Sequence, residues 1–405
     1  MCYIYNNPKY LYEYMDNFIF CSPTEFVFGR DTESQVGALA ARHGAGKVLI
    51  VYGGGSAVRS GLIGRVEDSL RGAGLQWVTL SGVKPNPTDD KVYEGVALAV
   101  REAVTFILAV GGGSVIDTAK AIALGAVYPG DFWDFYSGKE QPMAALPVGV
   151  VLTIPAAGSE GSGNSVITRV ATHQKLGARY PALLRPRFAV MNPELTFTLP
   201  WEQTAYGIVD MLCHIFERYF SPTVGTQLVD AYSEAIMRDV LDQALTLRMQ
   251  PDNYDARADV MWASTLAHNG LCGVGKIEDW ATHKLEHEVS ALYDVPHGAG
   301  LACLAPAWME VASRRNPDKI WRFAINVMSV DPTGHTTDEV IAEGIAMLRD
   351  FYHDLGLSTS LTELIGTKPD VDVLVDSLKK NFGETLGSYV ALSPADWREI
   401  YDLAL

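Results

Sequence analysis

Short apolar, β-branched runs recur through the first half of the chain: "KVLIV" (47–51), "WVTL" (77–80), "FILAV" (106–110), "VGVVLTI" (148–154) and "FAVM" (188–191). None alternates with polar residues, which is the pattern of strands buried on both faces of a parallel sheet. Helical periodicity fills the gaps, as in "LIGRVEDSLRGAG" (62–74) and "DDKVYEGVALAVREA" (89–103). The repetition implies right-handed βαβ units in an open α/β sheet. "DNFIF" after Met15 reads as the beginning of a first strand within 17–28, which leaves residues 1–14 as an appended tail. Beyond "MNPELTFTLP" (191–200) the strand signal stops, and 201–219, 227–249, 255–270 and 336–355 carry helical periodicity. The pattern predicts an α/β domain over 1–195 and an all-helical domain over 196–405. A chain of 405 residues is also too long for one hydrophobic core.

Composition narrows the function. A content of 48% hydrophobic and 20% charged residues is that of a folded globular chain. A formal net charge of −16 leaves no basic stripe for a phosphate backbone or an anionic membrane, so small-molecule chemistry is expected, with no nucleic acid and no membrane. Five cysteines, scattered and without a CxxC pair, suit a reducing compartment. With no secretory pattern at the N-terminus and no apolar run of about 20 residues, a cytoplasmic location is expected.

Two of the predicted strands end alike, in "VLIVYGGGSAV" (48–58) and "FILAVGGGSVIDTAK" (106–120). Glycines between a strand and a helix let the backbone approach a phosphate, whose charge then meets free N–H groups at the helix N-terminus. Gly111, Gly112, Gly113 and Ser114 are the candidates for a pyrophosphate, and Asp117 of the same motif is grouped with them. Neither loop is a GxGxxG or a GxxxxGK[ST], and a single GGGS could be a tight turn without a ligand. A third small-residue loop, "LTIPAAGSEGSGNS" (152–165), follows another strand and favours a crevice lined by several strand ends. At the first loop, Gly53, Gly54, Gly55 and Ser56 stand where many NAD enzymes carry a ribose-binding carboxylate, with Arg59 close behind. That leaves room and positive charge for a 2′-phosphate, so NADP(H) is favoured over NAD(H).

The chain holds nine histidines, and three fall within "DWATHKLEHEVSALYDVPHG" (279–298). In "GIVDMLCHIFERY", Asp210 and His214 are four residues apart on one helical face, and His283 and His287 repeat that spacing. His297 follows just beyond, between Pro296 and Gly298. A carboxylate with imidazoles from two helices and a turn makes a mixed N/O site for one divalent metal, Fe²⁺ or Zn²⁺ rather than Mg²⁺. Spacing leaves open which of His283 and His287 is the ligand. His43, His173, His268, His335 and His353 lack such partners and read as structural.

These motifs, together with "NFIFCSPTEFVFG", "VKPNPT" and "LTIPAAGSEGSGNSVIT" in this order, resemble the iron-containing (group III) alcohol dehydrogenase family, more closely its NADPH-dependent butanol dehydrogenase branch. The resemblance runs over nearly the whole chain from about Met15. It implies an α/β dinucleotide-binding domain, a helical metal-binding domain and a homodimer. It also implies hydride transfer between NADP(H) and a small primary alcohol or aldehyde. Carried over, the metal ligands are Asp210, His214, His283 and His297, with His287 a non-ligand histidine near the nicotinamide, suited to proton relay or substrate positioning. Asn86, Gly113 and Ser114 match nucleotide contacts, and Lys175 matches a lysine near the ribose or phosphates.

Two departures stand out. The family signature opens its histidine helix with Gly-x-x-His, where this chain has Trp280, and the branch shares "DWATH". Threonines frequent after the proline of the third loop are replaced by Ala156 and Ala157, which leaves Thr153 or Ser159 to supply nicotinamide contacts. Glu217 and Glu286 are the candidates to orient the imidazoles. Two rival readings remain at this stage. A dehydroquinate synthase-like lyase with NAD and zinc would need a basic cluster for a substrate phosphate, whereas Trp280, Leu285, Glu286 and Val289 are apolar or acidic. A non-catalytic metal or nucleotide sensor would need an effector module, and none is apparent.

Overall fold

The apolar runs form strands because each buries both faces. Leu49 and Val51 face one core with Ile107 and Ala109, while Val48 and Ile50 face the other with Phe106 and Leu108. The computed structural model of the chain describes residues 13–405. Its strands are β1 (Glu13–Tyr14), β2 (Glu25–Phe28), β3 (Lys47–Tyr52), β4 (Gln76–Leu80), β5 (Phe106–Gly111), β6 (Val148–Leu152), β7 (Asn164–Arg169), β8 (Gln174–Arg179), β9 (Phe188–Met191) and β10 (Thr223–Val224). Six of them form one parallel sheet in the order β2-β9-β6-β5-β3-β4. The chain leaves β3 to one side for β4, then returns to the other side for β5. The ends of β3 and β5 therefore flank a topological switch point, where α/β sheets open a ligand crevice.

Three features depart from the sequence reading. β7 and β8 form an antiparallel hairpin after the third small-residue loop. Its residues, polar and apolar mixed and only some of them buried, carry no apolar run to mark it. The expected strand over 17–28 is confined to β2. Pro23 has no N–H for a ladder, β9 pairs only with residues 25–28, and Phe18 and Ile19 are exposed. The expected tail 1–14 lies outside the described residues except Glu13–Tyr14, which pair in parallel with Thr223–Val224. That short pairing also interrupts the all-helical expectation for the second half.

After β9 the chain turns through Pro193–Thr196 into the helix Trp201–Tyr219, and the helices Gln227–Met249, Tyr254–His268, Ala281–Tyr293, His297–Ser313 and Thr337–Asp354 pack around a core of their own. Two glycines bring this bundle close to itself and to the sheet. A Cβ on Gly207 would lie 2.3 Å from the Pro155 carbonyl oxygen, and one on Gly298 would lie 2.2 Å from that of Tyr206. The helix starting at His297 can rest against the Trp201–Tyr219 backbone only because residue 298 has no side chain. Gly298→Ala is expected to lower the thermal unfolding midpoint by the equivalent of about 1–3 kcal/mol, the usual cost of overpacking, read by calorimetry.

Candidate metal and nicotinamide site

Asp210 and His214 project from one face of the Trp201–Tyr219 helix, and both are buried. His214 Nε2 lies 3.4 Å from Asp210 Oδ1, and the Nε2 atoms of His283 and His297 each lie 3.8 Å from that oxygen. Donors about 2.1 Å from a tetrahedral ion stand roughly 3.4 Å apart, so the set is close to ligand spacing. Asp210 Oδ1 and His283 Nε2 are buried and have no hydrogen-bond partner. Buried polar atoms are rarely left unpaired, and a pair facing one point is what a cation would satisfy.

Other carboxylates decide which nitrogen of each ring points inward. His283 Nδ1 donates to Glu217 Oε1 at 2.7 Å, and the His283 backbone N–H donates to the same oxygen at 2.9 Å. His297 Nδ1 donates to Glu286. Both glutamates are buried and engage Nδ1, so Nε2 is the nitrogen that each ring turns towards Asp210. His214 differs at its outer nitrogen: Nδ1 is buried without a partner, and the ring lies 4.1 Å from that of His268. Burial holds the His214 imidazole well below its usual pKa, so it stays neutral. Burial opposes charge on His283 too, but Asp210 and Glu217 beside it lift its pKa to about 9. The cluster attracts positive charge, and the residues present fit a divalent cation.

His287 stands one turn beyond His283 on the same helix, 6.5 Å from the His283 ring and 5.6 Å from that of His297, and gathers with Glu286 and His297 rather than with Asp210. Burial and the Lys175 charge hold it well below its usual pKa. Lys175, at 5% exposure, lies deep beside Glu286, with Nζ 3.6 Å from Oε2, and donates to Asn86 Oδ1 at 3.2 Å. The Asn86 amide reaches across to Asp294 Oδ1 (3.0 Å) and the Val295 carbonyl (3.2 Å), on the turn that leads into His297. Asn86 and Lys175 thus tie the α/β half to the histidine helices.

The glycine loops lie at the ends of β3 and β5, side by side in the sheet. Gly54, Ser56 and Arg59 are exposed, and Gly55 has a φ of +113°. The Arg59 guanidinium folds back to within 3.2 Å of where a Cβ on Gly55 would be. In the second loop, a Cβ on Gly111 or Gly112 would strike Val115 or Ile154, whereas Gly113 is open to 3.8 Å. Gly113 and Ser114 begin the helix Gly113–Gly125, so their N–H groups remain for an anion. Thr153 gives its backbone N–H to Gly111, which binds the third loop to the second.

Asp117 and Ser159 bond to each other and to the third loop. Ser159 Oγ donates to Asp117 Oδ1 at 2.6 Å and accepts from Lys120 Nζ at 2.8 Å, while Asp117 Oδ2 accepts from the Val166 N–H. Lys120, wholly buried, also donates to the carbonyls of Ser159, Ser162 and Asn164. Both residues, expected on the cofactor, hydrogen-bond within the framework of the third loop in this structure. His268 departs in the other direction. It accepts from Asn164 Nδ2 at 2.9 Å through Nε2, donates to the Ala157 carbonyl, and stands against His214. Neither Lys120 nor His268 had a periodic partner in the sequence, since each is matched across the two halves or along the loop.

A model of the iron-containing alcohol dehydrogenase matches residues 23–193, and one of the Fe-containing alcohol dehydrogenase family C-terminal region matches 204–402. The chain is 41% identical over 391 residues to a probable NADH-dependent butanol dehydrogenase of Bacillus subtilis, covering 96% of this chain and 100% of that one. It is 37% identical over 399 residues to the NADPH-dependent aldehyde reductase YqhD of Escherichia coli, covering 96% and 100%. The crystal structure of NADH-dependent butanol dehydrogenase A from Thermotoga maritima superposes with a TM-score of 0.92 at 42% identity, covering 97% and 100%. Those names divide between the two nucleotides, so the comparisons support a nicotinamide cofactor without choosing one. Matched along both halves, and in fold, the chain belongs to the iron-containing alcohol dehydrogenase family.

Proposed function

We propose that this metal-dependent alcohol/aldehyde oxidoreductase moves a hydride between NADP(H) and a small primary alcohol or aldehyde, with Asp210, His214, His283 and His297 as ligands of one Fe²⁺ or Zn²⁺. The observation that carries the reading is the unpartnered Asp210 Oδ1 facing the unpartnered His283 Nε2, with His214 and His297 directed at the same oxygen.

When bound, the ion supplies a Lewis acid for the alcohol or carbonyl oxygen, and the nicotinamide supplies or accepts the hydride. Asp210 brings the only negative charge of the ligand set, and neutral imidazoles complete it without cancelling the ion's charge. Glu217 and Glu286 hold the lone pairs of His283 and His297 inward. His287, neutral and set between the ligands and Lys175, can take up or hand on the alcohol proton. Lys175 and Asn86 orient the ribose side, and Gly111, Gly112, Gly113 and Ser114 receive the pyrophosphate at their helix N-terminus. Lys175 and Arg218, the basic side chains against the imidazoles, are already paired with Glu286 and Glu278, which leaves the dehydroquinate synthase-like reading without support.

The NADP(H) preference rests on the Gly53–Gly54–Gly55–Ser56 turn, which has room and Arg59 but no carboxylate. A homodimer is supported by the open edge of β2 and by exposed Phe18 and Ile19, the latter 97% exposed. A reducing, cytoplasmic setting agrees with the free Cys21, Cys213, Cys272 and Cys303, and among the described residues no helix is long and apolar enough to cross a membrane.

The deciding assay follows NADPH oxidation by butanal in metal-stripped protein reconstituted anaerobically with Fe²⁺, Zn²⁺ or buffer. Turnover should appear only with an ion, and full activity in the stripped protein would end the metal reading. His283→Ala and His297→Ala should lose metal and activity together, while His287→Ala keeps metal, measured by elemental analysis, and turns over more slowly. Glu217→Gln should weaken metal affinity roughly 10–100-fold, as losing a partner that orients a ligand does. KM should be lower for NADPH than for NADH, and Arg59→Ala should narrow the difference. Light scattering should give twice the chain mass of 44.1 kDa, falling towards one chain in Ile19→Asp.

A further inference from the structure

Trp280 precedes the Ala281–Tyr293 helix with φ +65° and ψ +13°, a left-handed conformation. This costs an L-residue roughly 1–2 kcal/mol that glycine, the residue in the family signature, would avoid. The side chain is nevertheless held firmly. Its Nε1 donates to Glu278 Oε2 at 2.6 Å, and the Arg218 guanidinium stacks 4.8 Å from the ring centre. Arg218 is fastened in turn to Glu278 at 3.3 Å and to the His214 carbonyl at 2.6 Å. The half-buried indole stands edge-on to His283 at 5.2 Å and to His214 at 5.7 Å, and lies 5.9 Å from His268. A bulky residue kept in a strained conformation by surroundings that over-determine it points to a role in the site.

Position indicates the role. Along the helix, His287 lies one turn beyond His283, towards Lys175 and Asn86, while Trp280 lies one turn before it, towards His268 and the third loop. The reacting carbon must sit between the ligand set and the nicotinamide, so a carbon chain attached to it extends away from the nicotinamide side. We propose that Trp280 is a specificity-determining residue, an aromatic wall beside His214 and His283 that limits the substrate to a short, unbranched alcohol or aldehyde. This rests on the metal-dependent oxidoreductase reading above.

The test compares kcat/KM for butanal, hexanal and benzaldehyde in the reconstituted wild type, Trp280→Gly and Trp280→Phe. Metal content and Co²⁺ titration by fluorescence are measured on the same samples. Trp280→Gly should raise the hexanal-to-butanal and benzaldehyde-to-butanal ratios by about tenfold or more, the scale on which a pocket discriminates one methylene, with metal content unchanged. Trp280→Phe, which keeps a ring, should fall between and remains informative if the glycine variant does not fold. Co²⁺ should quench less fluorescence in both variants than in the wild type. Unchanged ratios with metal retained would overturn the proposal, as would loss of metal in both variants, which would make Trp280 a support for the ligands. A wild type without bound metal or butanal turnover would overturn the underlying reading, and this one with it.

Discussion

A carboxylate taken out of water must be given positive charge, and Asp210 is surrounded by imidazoles rather than by lysine or arginine. The desolvation of an unpaired ion is worth several kcal/mol, so the surrounding helices have to converge closely enough to compensate it. Much of the bundle can be understood from that requirement. Gly298 lets the His297–Ser313 helix touch the Trp201–Tyr219 helix, Gly207 lets the latter touch the Pro155 carbonyl, and Glu217 and Glu286 add a second layer that aligns the rings. Those two glutamates add negative charge to a buried place, which raises the affinity of the cluster for a cation.

The same geometry couples the two halves of the chain. The switch point between β3 and β5 opens the crevice on the sheet side, and the histidine helices close it from the other. Asn86 is the hinge pin: its amide oxygen takes the Lys175 proton donor, while its amide nitrogen holds the turn before His297. On the far side, Lys120 organises the third loop, and Asn164 and Ala157 of that loop hold His268 against His214. The histidine cluster is thereby tied at both ends to residues of the sheet half.

Trp280 stands at the edge of this cluster without a donor directed at Asp210. The surrounding contacts of Arg218 and Glu278 hold the indole beside the imidazoles despite an unfavourable backbone conformation.

Periodicity alone was enough for the helices Trp201–Tyr219 and Gln227–Met249, for the strands of the parallel sheet and for the pairing of Asp210 with His214, because burial on one or two faces writes itself directly into the order of residues. It misjudged "DNFIF", since apolar character does not say which neighbour will pair, and it passed over the β7–β8 hairpin, whose mixed polar and apolar residues make no apolar run. Four-residue spacing offered His283 and His287 equally. Only the docking of helices showed that His283 turns towards Asp210, that Asp117 accepts from Ser159 and Val166 while Ser159 accepts from Lys120, and that His268 stands at the cluster. Spacing along a helix sets the direction of a side chain, whereas contact between helices depends on close-approach glycines and on partners such as Asn164 and His268, 104 residues apart, that share no period.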